Sequence, residues 1–470
     1  MEYYTDLITK HKAALESRLD KDDRPTADEV LVALLWTDDC DNRAFLKWAT
    51  REKLVKDRDV ARAKHRAGVT EALGEYPEDA NSFIKLLATH TRTTVSYNGL
   101  VTRYDFEFGD TIDVIITDFA RDARLYAAKH RLPFTNDNIN DAVDNWFDKT
   151  KRSKFFGLRD MIRPRADFDW LDLAGNCFDL TEMSAELVAA VLQKFIHQVV
   201  TKMHGKQVGW HLMPVLVAPQ GEGKSYFVHK LVSPLVELMR EAEFSAITDD
   251  RNIELWSSYI LFLDEMAHAT RSDVEAVKHV ITADNLDRRP MRTNKIQPVR
   301  QRSTFIACSN KSVDENIKDE TGARRFFGLR YKRTPAGYLD SINWVAAWQS
   351  VKHTDVDPLT NFRGELAAIQ EATRHKSPVE DWMDNFSENE ASAILKVSDK
   401  LRIKPLYDDY LDRRRAVTGD RDPYLRTMDQ FARELKRLCD DGTAKLVRKR
   451  DATSWFYDYV GLTSGLRVVR

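Results

Sequence analysis

The run Pro219-Gln220-Gly221-Glu222-Gly223-Lys224-Ser225 sets two glycines, an amine and a hydroxyl side by side. This is the composition needed to hold a chain of phosphates. Glycines let backbone N–H groups converge on one point, a lysine reaches the β- and γ-oxygens, and a serine hydroxyl ligates Mg²⁺. The flanks agree. Residues 213–217 read as a short buried strand and 225–239 as a helix whose positive dipole end faces the loop. The full pattern G-x-x-x-x-G-K-[ST] has glycine where this chain has Ala218, a position that need not touch phosphate. The alternative is a glycine turn followed by a chance Lys-Ser.

Three further groups follow in order. The apolar run 259–263 ends in Asp264-Glu265. A buried parallel strand delivers carboxylates to its C-terminal edge in this way, where Asp264 would hold Mg²⁺ and Glu265 would act as general base toward water. A second apolar run, 304–308, ends in Ser309-Asn310, and an amide there can orient water and touch a γ-phosphate. Then Thr321-Gly322-Ala323-Arg324-Arg325 puts two guanidinium groups on a turn before a strand. Such an arginine, acting on a neighbouring subunit, is worth about three to five orders of magnitude in rate. The alternatives are an acidic helix cap, a turn asparagine and a surface arginine pair.

Between the two strands lies 288–302, dense in cations with prolines at 290 and 298, which reads as an exposed hairpin. In a ring of subunits Arg292 and Lys295 would grip successive phosphates of a strand. The segment from Lys149 to Arg165 is also basic, either a solvated linker or a collar facing nucleic acid.

These groups need elements to hold them. A length of 470 residues allows about three domains. Residues 1–92 read as helical, and 93–203 as a small hairpin around Asn98-Gly99 followed by helices, from 111 to 150 and near 184–203. Residues 204–335 hold the phosphate loop and its companions, 336–398 a helical linker, and 399–470 two helices and a hairpin. The second of those helices opens with Thr427 and Gln430 at capping-box spacing. The hairpin joins strands 445–448 and 455–460 through a basic tip with Lys449 and Arg450, the order of a winged helix. With a net charge of −2, any nucleic-acid surface must be local. Cys40, Cys177, Cys308 and Cys439 are scattered singly, which argues against a zinc site or disulfide framework. The polar start Met1-Glu2-Tyr3-Tyr4 and the lack of a long apolar run predict a soluble, cytoplasmic protein with no membrane partner. Asp167-Phe168-Asp169 has the spacing of a two-metal polymerase site but no preceding apolar strand, which argues against a primase centre.

Together, Gln220 to Ser225, Leu263-Asp264-Glu265, 305–310 and 321–326 resemble the superfamily 3 helicases, a branch of the AAA+ ATPases, and within it the virulence-associated E-like and poxvirus-type primase–helicases. The resemblance covers residues 205–335 well and 93–200 more loosely. It implies an α/β AAA+ core with a parallel sheet, preceded by a helical region and followed by a winged-helix-like domain. It also implies a hexameric ring that hydrolyses ATP with Mg²⁺ and moves along single-stranded or forked DNA, usually 3′ to 5′. Such a ring would serve replication of a phage, plasmid or genomic island in a bacterial or phage-infected host cytosol, beside a separate primase. Carried over by position, Gln220, Gly221, Glu222, Gly223, Lys224 and Ser225 bind nucleotide, and Ser225 and Asp264 the metal. Glu265, Asn310 and Arg324 or Arg325 serve catalysis, and Arg292 and Lys295 touch DNA. A DNA-binding AAA+ switch for origin recognition or defence, without unwinding, is the alternative.

Overall fold

The computed structural model describes residues 57–265, 271–290, 295–313, 325–372, 376–418, 425–452 and 454–460. The chain forms two compact units, one from residues up to Arg163 with Pro234–Leu238, the other from Pro164–Ser233 and Met239 onward.

In the first unit, helices α1 (Asp57–Leu73), α2 (Ala80–His90), α3 (Ile116–Lys129) and α4 (Asn136–Met161) enclose a core of Phe83, Leu87, Phe119, Ile139 and Val143. Capping boxes start α2 at Asp79 and α4 at Thr135, satisfying N–H groups that the helices leave unpaired. Strands β1 (Thr93–Val95), β2 (Val101–Asp105) and β3 (Asp110–Val114) make an antiparallel sheet in that order. Gly99, at φ 92°, supplies the left-handed residue of the expected turn. Strand β3 corrects the helical reading from 111 onward. Thr111 and Ile112 sit opposite Tyr104 and Arg103 of β2, and their β-branched side chains suit a pleated surface. The basic segment proves to be the end of α4, where Lys154 pairs with Glu237 at 3.2 Å.

The second unit is built on short apolar runs too brief for helices and too apolar to face water. Strands β4 (Met213–Val217), β5 (Met239–Glu241), β6 (Ile260–Leu263), β9 (Thr304–Ser309) and β10 (Phe326–Arg330) form a parallel sheet in the order β10-β4-β9-β6-β5. Strands β6 and β9 are buried along their whole length, as strands covered on both faces must be. Pro214, which has no N–H, precedes the first residue of β4 that pairs with β9. The chain runs from β4 to the far edge at β5, returns through β6 and β9, then crosses to β10 on the other side of β4. That reversal makes the carboxyl ends of β4 and β9 the switch point of the sheet.

Helix α5 (Trp170–Cys177) is capped by the Asp169 carboxylate, which accepts the Asp172 N–H at 2.9 Å, so half of the Asp-x-Asp pair has a structural role. Helix α6 (Ala185–Met203) matches the expected span, and its Gln198 amide clamps both the N–H and the carbonyl of Leu212 where the chain enters β4. Helix α7 (Lys224–Val232) stops seven residues short of the expected end, and a 3₁₀ segment, Ser233–Leu238, follows; Pro234 accounts for the stop. Helices α8 (Phe244–Thr248) and α9 (Arg271–Thr282) precede the antiparallel hairpin of β7 (Asn285–Arg288) and β8 (Gln297–Arg300). Short helices α10 (Tyr338–Ser341) and α11 (Trp344–Gln349) follow β10, and the Trp348 indole donates to the Leu231 carbonyl at 2.7 Å. After α12 (Arg363–Ala372) come α13 (Pro378–Asp384), α14 (Glu388–Val397), α15 (Ile403–Thr418) and α16 (Met428–Asp440), then an antiparallel pair, β11 (Leu446–Arg450) and β12 (Trp455–Tyr459). Their core holds Trp382, Tyr410, Phe431, Leu435 and Tyr457, and Leu401 bridges Tyr457 as a third short strand position. The Thr427–Gln430 capping box forms as read, while Met428 beside it is exposed. No helix among the described residues is long and apolar enough to cross a membrane.

Because β9 is central and Ile306 fully buried, Ile306→Ala should lower the unfolding free energy by about 2–5 kcal/mol in urea denaturation. A change within error would mean that the sheet is not the stabilising layer.

Candidate active site

The candidate residues lie past the carboxyl ends of β4, β6 and β9. Strand β4 runs into a loop, Ala218 to Gly223, that ends as α7 begins. Ala218 is buried and its N–H donates to the Ser309 carbonyl at 3.2 Å, so the residue in the place of the first glycine continues the β4–β9 ladder. Gly221 and Gly223 have φ of 85° and 93°, the left-handed region that only glycine enters at little cost. Gly223 is the N-cap of α7 and provides no side-chain cap to its first N–H groups.

Lys224 is buried beneath the loop. Its ammonium donates to the Ala218 carbonyl (2.6 Å), the Pro219 carbonyl (2.9 Å) and Asn310 Oδ1 (2.8 Å), with no carboxylate partner among the described residues. Ser225 Oγ donates to Asp264 Oδ1, and Glu265 lies next to Asp264 just past β6, both exposed. Side chains read from separate motifs thus meet where the loop enters α7, Asn310 on Lys224 and Asp264 on Ser225. Gln220 is exposed and Glu222 half-buried on the same loop.

One neighbour was missed by motif reading. Tyr331 follows β10, its N–H donating to the Val217 carbonyl at 2.9 Å, and its hydroxyl would lie 3.8 Å from a Cβ placed on Gly223. That hydroxyl is buried without a hydrogen-bond partner among the described residues, and burial pushes its pKa up to about 12. No local motif marks it; the register of β10 against β4 brings it there.

The remaining predicted residues lie elsewhere. Arg325 precedes β10, and its carbonyl accepts the Met213 N–H at 2.7 Å, so it sits where the strands begin. Five residues of strand, about 16 Å at 3.3 Å per residue, separate that edge from the loop. Arg324 and Arg292 lie outside the described residues. Lys295 is exposed near the hairpin tip, whereas Arg288, opposite Gln297 at the last ladder position before the tip, is buried, paired with Asp250 at 2.8 Å and stacked over Trp256. Lys449 and Arg450 belong to β11 rather than to the turn, a correction of the basic-tip reading. The ladder extends to Arg450 opposite Trp455; Lys449 pairs with Asp458 at 2.6 Å and Arg450 stacks on Trp455.

Residues 169–347 match the family described as the virulence-associated protein E-like domain. Among solved structures, the chain is similar to the apo NrS-1 C-terminal region, with 12% identity over 82% of this chain and 99% of that one and a TM-score of 0.46. An A form of the same region gives 13% identity, the same coverage and a TM-score of 0.43. A structure described as "SCCmec type IV Cch - active helicase" shares 13% identity over 59% of this chain and 51% of its own, with a TM-score of 0.25. No curated protein matches the chain.

Gly223→Ala should cost about 1–2 kcal/mol, the ordinary penalty for an L-residue in the left-handed region. The added Cβ meets only the Tyr331 hydroxyl at van der Waals distance, so Tyr331→Phe should leave the penalty unchanged in a denaturation double-mutant cycle. Strong coupling would instead assign the cost to crowding.

Proposed function

We propose that the chain is an ATP-dependent DNA helicase or translocase of the AAA+ superfamily 3 type, working as a ring in replication of a mobile genetic element. The observation that carries this reading is the buried Lys224 ammonium held by the loop carbonyls and by Asn310, beside the Ser225–Asp264 pair. A buried cation that meets only neutral oxygens suits a site built to receive an anion. The hydroxyl and carboxylates of Ser225, Asp264 and Glu265 are the hard oxygen donors that suit Mg²⁺. The domain match over residues 169–347 supports the same reading.

On this reading Lys224 and the first-turn N–H groups of α7 bind the β- and γ-phosphates, and Ser225 and Asp264 hold the metal. Bound there, Mg²⁺ would neutralise charge on the phosphate oxygens. Asn310 orients a water and Glu265 takes its proton as the water oxygen bonds to the γ-phosphorus. The bond to the bridging oxygen breaks, and ADP leaves with that electron pair. Arg325 stands too far along the strand to serve its own loop, which supports action on a neighbouring subunit, as a hexameric ring would allow. The β7–β8 hairpin, with Lys295 near its tip, is the element that holds single-stranded or forked DNA. The pair α15 and α16 with the β11–β12 hairpin supports a winged-helix reading, with DNA contact from Arg450 more than from the paired Lys449. A separate primase would supply the priming activity.

ATP turnover measured with and without single-stranded DNA tests the proposal. Wild type should be stimulated by DNA and unwind a fork, and Lys224→Ala and Glu265→Gln should abolish both activities. The Arg324→Ala/Arg325→Ala pair should lose about three orders of magnitude, with partial recovery when mixed with Glu265→Gln. Turnover indifferent to DNA, or to loss of both arginines, would remove the helicase reading and favour a DNA-binding switch.

A further inference from the structure

We infer that the cavity between the root of the β7–β8 hairpin and the loop after α6 is a phosphate-binding subsite, separate from the phosphate loop. It rests on the nucleic-acid reading above only for the source of the phosphate, the backbone of the strand held by the hairpin.

The cavity encloses about 260 Å³ and is lined by Lys202, Lys206, Arg300 and Arg302, with Asp284 as its one carboxylate and His211 beside them. None of the four cations has an ion-pair partner among the described residues. The Lys202 ammonium donates to Gln301 Oε1 at 2.8 Å and the Ser303 carbonyl at 2.6 Å, both neutral. Arg300 donates to the Gly205 carbonyl at 2.7 Å, again neutral, and Asp284 accepts from the Gln207 amide at 2.7 Å. Arg288, one strand away, shows the contrast, since its charge is met by Asp250. Four cations around one carboxylate are therefore left in a partly enclosed space, in a chain whose net charge is −2.

Desolvation is the dominant cost at two of these groups. Burial pushes Lys202 down to about 7. Burial, then the charges of Lys202, Lys194 and Arg325, hold His211 down to about 3. An anion in the cavity would offset both, because a desolvated ammonium beside neutral oxygens keeps most of its desolvation cost. The volume selects the ligand class. It falls below the roughly 300–1,000 Å³ of pockets that enclose whole small molecules, and it admits a phosphate group with its waters rather than a nucleotide.

Position gives the subsite a consequence. Asn285 and Arg300 are the paired ends of the hairpin, Lys202 belongs to α6, and residues 301–303 lead into β9. A phosphate seated there would tie the hairpin root to the helix that feeds β4, at the edge of the sheet opposite Lys224.

The test uses the full chain carrying Lys224→Ala, which removes phosphate binding by the loop, with and without Arg302→Gln and Lys206→Gln. Both added changes fall on exposed side chains without ion-pair partners among the described residues, so folding should survive. Two measurements are made, inorganic phosphate by titration calorimetry and oligo(dT) affinity against salt by fluorescence anisotropy. The cavity should bind phosphate saturably, and losing two charge-assisted contacts should weaken that about tenfold or more. The salt slope for oligo(dT) should fall by about 1.4, or 0.7 for each of two phosphate contacts on a single strand. Weakened phosphate binding with an unchanged slope would keep the anion site and exclude the strand as its source. A phosphate effect in a protein that does not bind oligo(dT) at all would keep the site and sink the nucleic-acid reading. If neither measurement moves, the subsite is overturned.

Discussion

The buried charge of Lys224 is the constraint around which the candidate site is arranged. An ammonium removed from water must be given oxygens, and here they come from Ala218 and Pro219 of its own loop and from Asn310 on a different strand. Those bonds fix the loop against the end of β9. They do so with neutral acceptors, which hold a cation in place without cancelling its charge. A carboxylate in the place of Asn310 would anchor the lysine more strongly and spoil the site for an anion. The neighbouring acid, Asp264, is instead engaged by the Ser225 hydroxyl, which keeps a negative group beside the loop but off the lysine.

The strand order then divides the labour between two edges of one sheet. Parallel strands end together, so placing β4, β9 and β6 side by side brings the loop, Asn310 and the two acids to one edge without any long-range search. The same parallelism sends everything that precedes a strand to the other edge. Arg325 before β10, the β7–β8 hairpin before β9 and the Gln198 clamp before β4 all lie there. A short strand is a stiff spacer of about 16 Å, so a group at one edge acts on the other only through a second copy of the chain or through movement of the whole sheet.

The readable parts of the sequence were those with local causes. The run 213–225 declares strand, loop and helix start because glycine, a short apolar run and a Lys-Ser pair each act over a few residues, and the apolar runs before Asp264 and Asn310 declare buried strands for the same reason. The hairpin before β9 followed from its prolines and polar tip. What escaped depended on partners distant in sequence. Strand β3 is a strand because β2 lies beside it, and Tyr331 reaches the loop through the register of β10 on β4. In the C-terminal hairpin the ladder runs two residues further than turn chemistry suggested, because Trp455 opposite Arg450 gives that pair a stacking contact. The early stop of α7 was legible in Pro234 and was passed over.

Charge density alone would have misjudged the hairpin. Of the cations between 288 and 302, Arg288 is spent on the fold: its guanidinium meets Asp250 and the Ile247 carbonyl and covers Trp256, so it fastens the tip end of the ladder to the segment around α8. Lys295 keeps its exposure, and Arg300 and Arg302 face the cavity beside α6. A loop of uniform cations would be repelled from itself and free to splay. One cation paired at the tip end of the ladder, with Lys295 exposed beyond it and Arg300 and Arg302 without ion-pair partners among the described residues behind it, gives a braced hairpin that presents positive charge in two places. That division, rather than the count of lysines and arginines, lets a chain of net charge −2 offer a local surface for polyanions.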